Sequence, residues 1–187
     1  MRYLPGTVIE VEDGRLRFGF ANLSPLFNAT KGLTLSQICE IAGIEPTTVQ
    51  NWIKRGWVAH PDNKRYAENH LARIIILGML RGAFQLERIA VILRFVNGSA
   101  DERGDDIIPD ETLYTHLCRI IDTVETERLT TPEAVAAAID ASISEYAEPY
   151  PGAKAKLTDA LTVMTLAYIA SSIKGMAERL CDERIGK

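Results

Sequence analysis

Apolar residues recur every three or four positions along most of the chain, and that spacing predicts helices nearly throughout. Leu35, Ile38, Ile41 and Ala42 share one helical face behind Thr34 and Gln37, which are spaced as a capping box; Gly43 stops this helix. Pro46 suits the first turn of a second helix, because the amide hydrogen it lacks would be unpaired there. Val49, Trp52 and Ile53 form the inner face of that helix, and Gly56 ends it. A polar stretch with Pro61, Asp62 and Asn63 leads to helices predicted over 67–80 and 86–96, the latter closed by Asn97 and Gly98. Before residue 34 the rhythm shortens to alternation at 7–11 and 15–20 around Gly14, the pattern of a hairpin or an ordered arm.

Beyond Gly98, residues 99–109 collect Asp101, Glu102, Gly104, Asp105, Asp106 and Pro109 and read as an acidic linker. Helical spacing resumes with Leu113, Leu117, Ile120, Ile121 and Val124. Thr131 then caps a helix that has Pro132 in its first turn and turns Val135, Ile139, Ile143 and Tyr146 inward. After a break at 148–152, a last helix over about 154–182 is apolar on nearly every side between Leu161 and Ile173, so it should be covered all round, as a bundle centre or half of a dimer interface. The pattern divides the chain into an arm (1–33), a four-helix head (34–98), the linker (99–109) and a helical dimerisation or effector region (110–187). The fold class is mainly α.

The 187 residues, 47% hydrophobic and 25% charged, exclude disordered, collagen-like and disulfide-scaffold classes. No uninterrupted apolar run reaches the ~18 residues of a membrane span, so a bilayer crossing is not expected. The N-terminus lacks the apolar core and cleavage site of a secretory signal. Cys39, Cys118 and Cys181, odd in number and widely spaced, fit a reducing cytoplasm. The net charge of −4 conceals a polarity: +1 over 1–33, +3 over 34–97 and −8 over 98–187. Within the basic part, Lys54, Arg55, Lys64 and Arg65 are opposed only by Asp62. A local cationic patch, not the total, decides whether a chain can meet phosphate.

Two short helices joined through Gly43-Ile44-Glu45 form a helix-turn-helix, which presents the start of its second helix to a DNA major groove. The outward positions of that helix are Thr47, Thr48, Gln50, Asn51 and Lys54, hydroxyls and amides that can read base edges. Any helical hairpin has a polar outer face, so this feature alone is weak. The continuation adds weight. Residues 35–38 (Leu-Ser-Gln-Ile), 42–49 (Ala-Gly-Ile-Glu-Pro-Thr-Thr-Val), 52–58 (Trp-Ile-Lys-Arg-Gly-Trp-Val), Pro61, 64–66 (Lys-Arg-Tyr), 71–74 (Leu-Ala-Arg-Ile) and 86–89 (Leu-Glu-Arg-Ile) resemble, in order, the head of MerR-type transcriptional regulators. The resemblance is closer still to a bacterial domain-of-unknown-function family with such a head and a helical C-terminal region, from 24–26 (Ser-Pro-Leu) through 95–98 (Phe-Val-Asn-Gly).

The MerR likeness implies a winged helix-turn-helix head with a short β-hairpin wing; the helical pattern beyond it adds a small helical bundle. The likeness implies groove-facing roles for Thr47, Thr48, Gln50, Asn51 and Lys54, and phosphate-facing roles for Lys64, Arg65 and Tyr66, with Arg55 counted among the DNA-binding residues. For Tyr66, core packing is an equal alternative; for Trp52 and Trp57 it is the favoured one. The pattern also departs from the class. Glu45 replaces the usual Ser or Asp cap, Gln50 and Asn51 stand where arginine and an aromatic are common, the wing is short, and no long heptad seam follows the fourth helix.

Other chemistry is poorly supported. His60, His70 and His116 lack metal-ligand spacing with the cysteines, and no nucleophile elbow, phosphate loop or dinucleotide fingerprint occurs, so neither metal, cofactor nor catalysis is expected. Gly78 and Gly82 suggest close helix packing. The reading is a sequence-specific, double-stranded-DNA-binding regulator, homodimeric through its C-terminal helices, with heads spaced for half-sites ~34–36 Å apart or a multiple of that. It names no small-molecule effector. The alternative is a protein-interaction adaptor that uses the same head without DNA.

Overall fold

The chain opens on a small antiparallel hairpin, β1 (Arg2–Tyr3) against β2 (Glu10–Val11), with Arg2 opposite Val11. This computed structural model describes residues 1–28, 30–101, 104–129 and 131–186; Glu102 of the acidic linker and Lys187 at the end of the C-terminal region lie outside them. Residues 15–20, expected as alternating structure, instead give a 3-10 element over Leu16–Asn22 with Arg15 as its N-terminal cap. Leu16, Gly19 and Phe20 are its buried positions, spaced by three and one, while Phe18 stays 51% exposed. Gly19, with a non-helical φ of 52° and ψ of −124°, kinks this element into two turns, so its burial follows neither a strand alternation nor one continuous helical face. A single-turn helix, α1 (Ser24–Asn28), follows.

The head helices form as the pattern requires. Thr34 N donates to Gln37 Oε1 at 2.9 Å and Gln37 N to Thr34 Oγ1 at 3.4 Å. This box opens α2 (Leu35–Ala42), and left-handed Gly43 closes it. Pro46 starts α3 (Pro46–Lys54). Next come α4 (Glu68–Leu80) and α5 (Leu86–Asn97), with Gly98 as the closing residue of α5. Then α6 (Asp110–Glu127), α7 (Pro132–Ser142) and α8 (Ala153–Arg184) complete a mainly α fold with a minor sheet.

The centre of the bundle is α4, not the last helix. Leu71, Ile74, Ile75, Ile76, Leu77 and Leu80 are fully buried, each contributing ~1.5–3 kcal/mol by its removal from water. Gly78 of α4 permits close approach: a Cβ there would lie 2.7 Å from Cδ1 of Ile44, in the turn between α2 and α3. The turn thus seats on the central helix, and the GxxxG spacing serves close packing.

The N-terminal residues are tied into the bundle. Tyr114 of α6 donates to Pro5 O at 2.7 Å, Phe20 N donates to Thr115 Oγ1 at 3.1 Å, and Arg2 pairs with Asp122 and Glu125. One buried cluster runs from Leu4 to Ala167 and includes Ile107 and Ile108 of the 99–109 segment. Tyr146 also donates to Ile107 O at 2.7 Å. That segment therefore joins helices around a shared core.

Of the two placements expected for α8, a bundle centre applies within one chain to its first half alone. Leu157, Ala160, Leu161, Met164, Thr165 and Ala167 are buried, but from Ala170 onward none of its residues is. The same helix is long and apolar enough, by length and composition, to cross a membrane; counting only uninterrupted apolar runs missed it because scattered Thr and Ser barely lower its average.

Candidate nucleic-acid interface

On α3 the buried side is Val49, Trp52 and Ile53. Thr47, Gln50, Asn51 and Lys54 are exposed and stand at intervals of three, one and three, a single helical stripe. Thr48 is half-buried beside it. Glu45 gives α3 no side-chain cap, as the departure from the MerR pattern implies. The predicted groove-facing residues thus form a continuous polar surface held from behind by three core side chains.

The short wing is a two-residue turn. Asp62 and Arg65 form a bridge, Arg65 N donates to Asp62 O at 2.7 Å, and Asn63 and Lys64 both have left-handed φ, 47° and 60°. These values describe a type I′ hairpin turn, in which glycine is favoured at the second position. Lys64 pays for its conformation in strain. Lys64→Gly is therefore expected to raise stability by ~0.5–1 kcal/mol, read as a higher urea midpoint with an unchanged slope. A lower midpoint would show that the lysine side chain makes a stabilising contact.

Behind the turn, Leu33 and Tyr66 exchange backbone hydrogen bonds of 2.9 and 2.8 Å, which fasten the wing to the residue preceding the cap of α2. Tyr66 is a correction to the predicted site. Its residue is buried, its ring stands edge-on to His70 with centroids 5.7 Å apart, and burial raises its phenol pKa. Packing, not phosphate contact, is what its ring does. His70 accepts from Ala67 N through Nδ1 at 3.0 Å, and its Nε2 lies 3.3 Å from His60 O, so this histidine links the two ends of the wing segment.

Lys64 and Arg65 are exposed. Arg55 is exposed too, but it pairs with Glu87 of α5 at 2.9 Å, and its guanidinium lies 5.0 Å from the Trp57 ring centroid. A surface pair of this kind is worth ~0–1 kcal/mol, so it restrains Arg55 only weakly. One cation escaped the sequence reading: exposed Lys31 lines, with Arg65, Phe27, Asp62 and Glu68, a cleft of about 870 Å³ between the N-terminal segment and the wing. The pairing of Leu33 with Tyr66 is what brings it there, and no local motif announces that pairing.

No group of three or more His, Cys, Asp or Glu residues placed to hold a metal occurs among the described residues. His116 lies 2.9 Å from Ser142 Oγ, and burial lowers its pKa. Buried Cys118 has its thiol pushed up to about 12 by desolvation. Both sit on α6, apart from α3 and the wing.

Residues 28–117 match a family described as "Domain of unknown function (DUF1836)". The match extends from the end of α1 into α6 and so crosses the acidic segment where the sequence pattern draws a boundary. An uncharacterized protein of Bacillus subtilis (strain 168), YkrK, is 27% identical over 94 residues. The alignment covers 48% of this chain and 40% of that relative, so the chain spans well under two thirds of it. No solved structure matches. Neither the family description nor the relative's name mentions DNA or transcription.

Proposed function

We propose that this is a cytoplasmic, sequence-specific DNA-binding regulator of MerR-like type, which reads a duplex with α3 and steadies it with the cationic wing. The observation that carries this reading is the stripe of Thr47, Gln50, Asn51 and Lys54, exposed on a helix whose opposite face is anchored in the core. Asn and Gln pair bidentately with adenine, at ~1–3 kcal/mol of discrimination per good pair. Lys31, Lys64 and Arg65 add phosphate-neutralising charge, while Tyr66 braces the wing from within.

Selection of bound fragments from random duplex DNA tests the reading, followed by affinity measurements at several salt concentrations. Arg65→Ala should weaken binding to every sequence and reduce the slope of log K against log salt by about one. Gln50→Ala should shift sequence preference instead. Lys64→Gly should weaken binding while stabilising the fold, which separates the two effects of that residue. Equal losses on all sequences from Arg65→Ala and Gln50→Ala would contradict the assignment.

A protein-docking adaptor is the second reading, favoured by the net charge of −8 over residues 98–187, which suits a basic partner, and by the pairing of Arg55 with Glu87. Absence of any salt-sensitive duplex binding would select it.

A further inference from the structure

The distal part of α8 carries an apolar seam that faces away from its own bundle. Leu157, Leu161, Met164 and Tyr168 lie on the side that packs inward. At about 3.6 residues per turn, Ile169, Ile173, Met176 and Leu180 fall on the opposite side. They recur at intervals of four, three and four, the spacing of a coiled-coil seam. Ile173, Met176 and Leu180 are 58%, 55% and 41% exposed. The seam begins on half-buried Leu166 and Ile169 and runs out along the uncovered turns, so it is continuous with the core.

We infer that this seam is a homodimer interface, in which the distal turns of α8 from two copies pack antiparallel. The register follows from the sequence. Placing Ile173 against Met176 of the second copy also places Ile169 against its Leu180 and Ala170 against its Ala177, so small residues flank the seam where the backbones approach. Arg179 then meets Ser172 of the second copy. A parallel pairing would instead set Glu183 beside its own counterpart and Arg179 beside Arg184 of the second copy. Like charges make that arrangement unfavourable.

Residues 170–184 extend roughly 22 Å at 1.5 Å per residue, and two such rods joined along the seam bury on the order of 1,000 Å², the threshold for a biological interface and the size of a weak, reversible one. Charge also favours a second copy over a lipid surface. Lys174, Arg179 and Arg184 are balanced by Glu178, Asp182 and Glu183, whereas helices that lie on membranes carry a cationic polar face.

This interface does not depend on the DNA reading, and its test uses the full chain without DNA. Sedimentation equilibrium should show a dimer at micromolar concentration. Ile173→Glu with Met176→Glu should weaken it by about a hundredfold or more, with unchanged helicity, because carboxylates would be stranded in the seam. Glu178→Ala, on the opposite face, should leave it intact. Native Cys181 is the thiol open to mild oxidation: it is exposed, whereas Cys39 and Cys118 are buried. In the antiparallel register the two Cys181 residues are separated by roughly 20 Å along the axis, so mild oxidation should not cross-link the dimer. A monomer throughout, a dimer indifferent to the double variant, efficient Cys181 cross-linking, or monomers that float with anionic lipid vesicles would each overturn the inference.

Discussion

Asp110→Ala is expected to cost the fold about 3–5 kcal/mol, the loss typical when one partner of a buried ion pair is removed. Asp110 begins α6, and its carboxylate meets Arg73 of α4, with Nε to Oδ2 at 2.9 Å and an Nη2 hydrogen bond to Oδ1 at 3.3 Å. Asn97, the last residue of α5, donates to Oδ1 at 3.1 Å. All three residues are buried. One carboxylate thus joins three helices, and its place at a helix N-terminus adds the favourable field of the helix dipole.

Deleting it leaves a guanidinium and an amide without their acceptor where water is scarce. Urea unfolding measures the cost. The double variant Arg73→Met, Asp110→Leu should lose much less than Asp110→Ala alone, since matched apolar groups replace a buried pair at little net cost. A loss under ~1 kcal/mol for Asp110→Ala would show that the pair is solvated and mechanically unimportant. The contact couples α4 and α5 to α6, which holds the N-terminal segment, so any shift of α6 would be felt by the central helix beneath the turn between α2 and α3.

The helices were legible in the sequence because their signals are local. Thr34 with Gln37, Gly43, Pro46, Thr131 with Pro132, and Asn97 with Gly98 each mark an end by chemistry within four residues, and the structure forms each of these helix ends. The exposed stripe on α3 was legible for the same reason, since helical periodicity assigns its two faces.

What could not be read depends on distant partners. Tyr66 follows Lys64 and Arg65 in a polar context, and only its bridge to Leu33 and contact with His70 decide that the ring is buried. Residues 15–20 alternate like a strand, but Thr115, nearly a hundred positions away, supplies the surface that makes them a 3-10 helix. The seam on α8 was concealed by overlap. Inward and outward apolar faces share the stretch from Leu161 to Ile173, so the helix reads as apolar all round, although one half of it packs inside and the other stands clear.

Gly19→Ala should be nearly as damaging as losing the buried carboxylate, at roughly 2–4 kcal/mol, and for a backbone reason. Gly19 adopts φ 52° and ψ −124°, a conformation that L residues rarely occupy. A Cβ built on it would stand 2.5 Å from Thr115 Cα and 2.9 Å from Thr115 Cβ. Strain and collision therefore act together. Shifting the 3-10 helix to relieve them would break the Phe20 N to Thr115 Oγ1 bond and disturb the packing of Phe20 against Tyr114, whose rings meet edge-on with centroids 6.3 Å apart. Thr115→Ala provides the diagnostic double variant. It removes Oγ1 and Cγ2 but leaves Cα and Cβ in place, so it should not rescue Gly19→Ala. If it did restore the urea midpoint, the threonine side chain and not the α6 backbone would be the true obstacle, and the 3-10 helix would be held by a softer contact than its geometry implies.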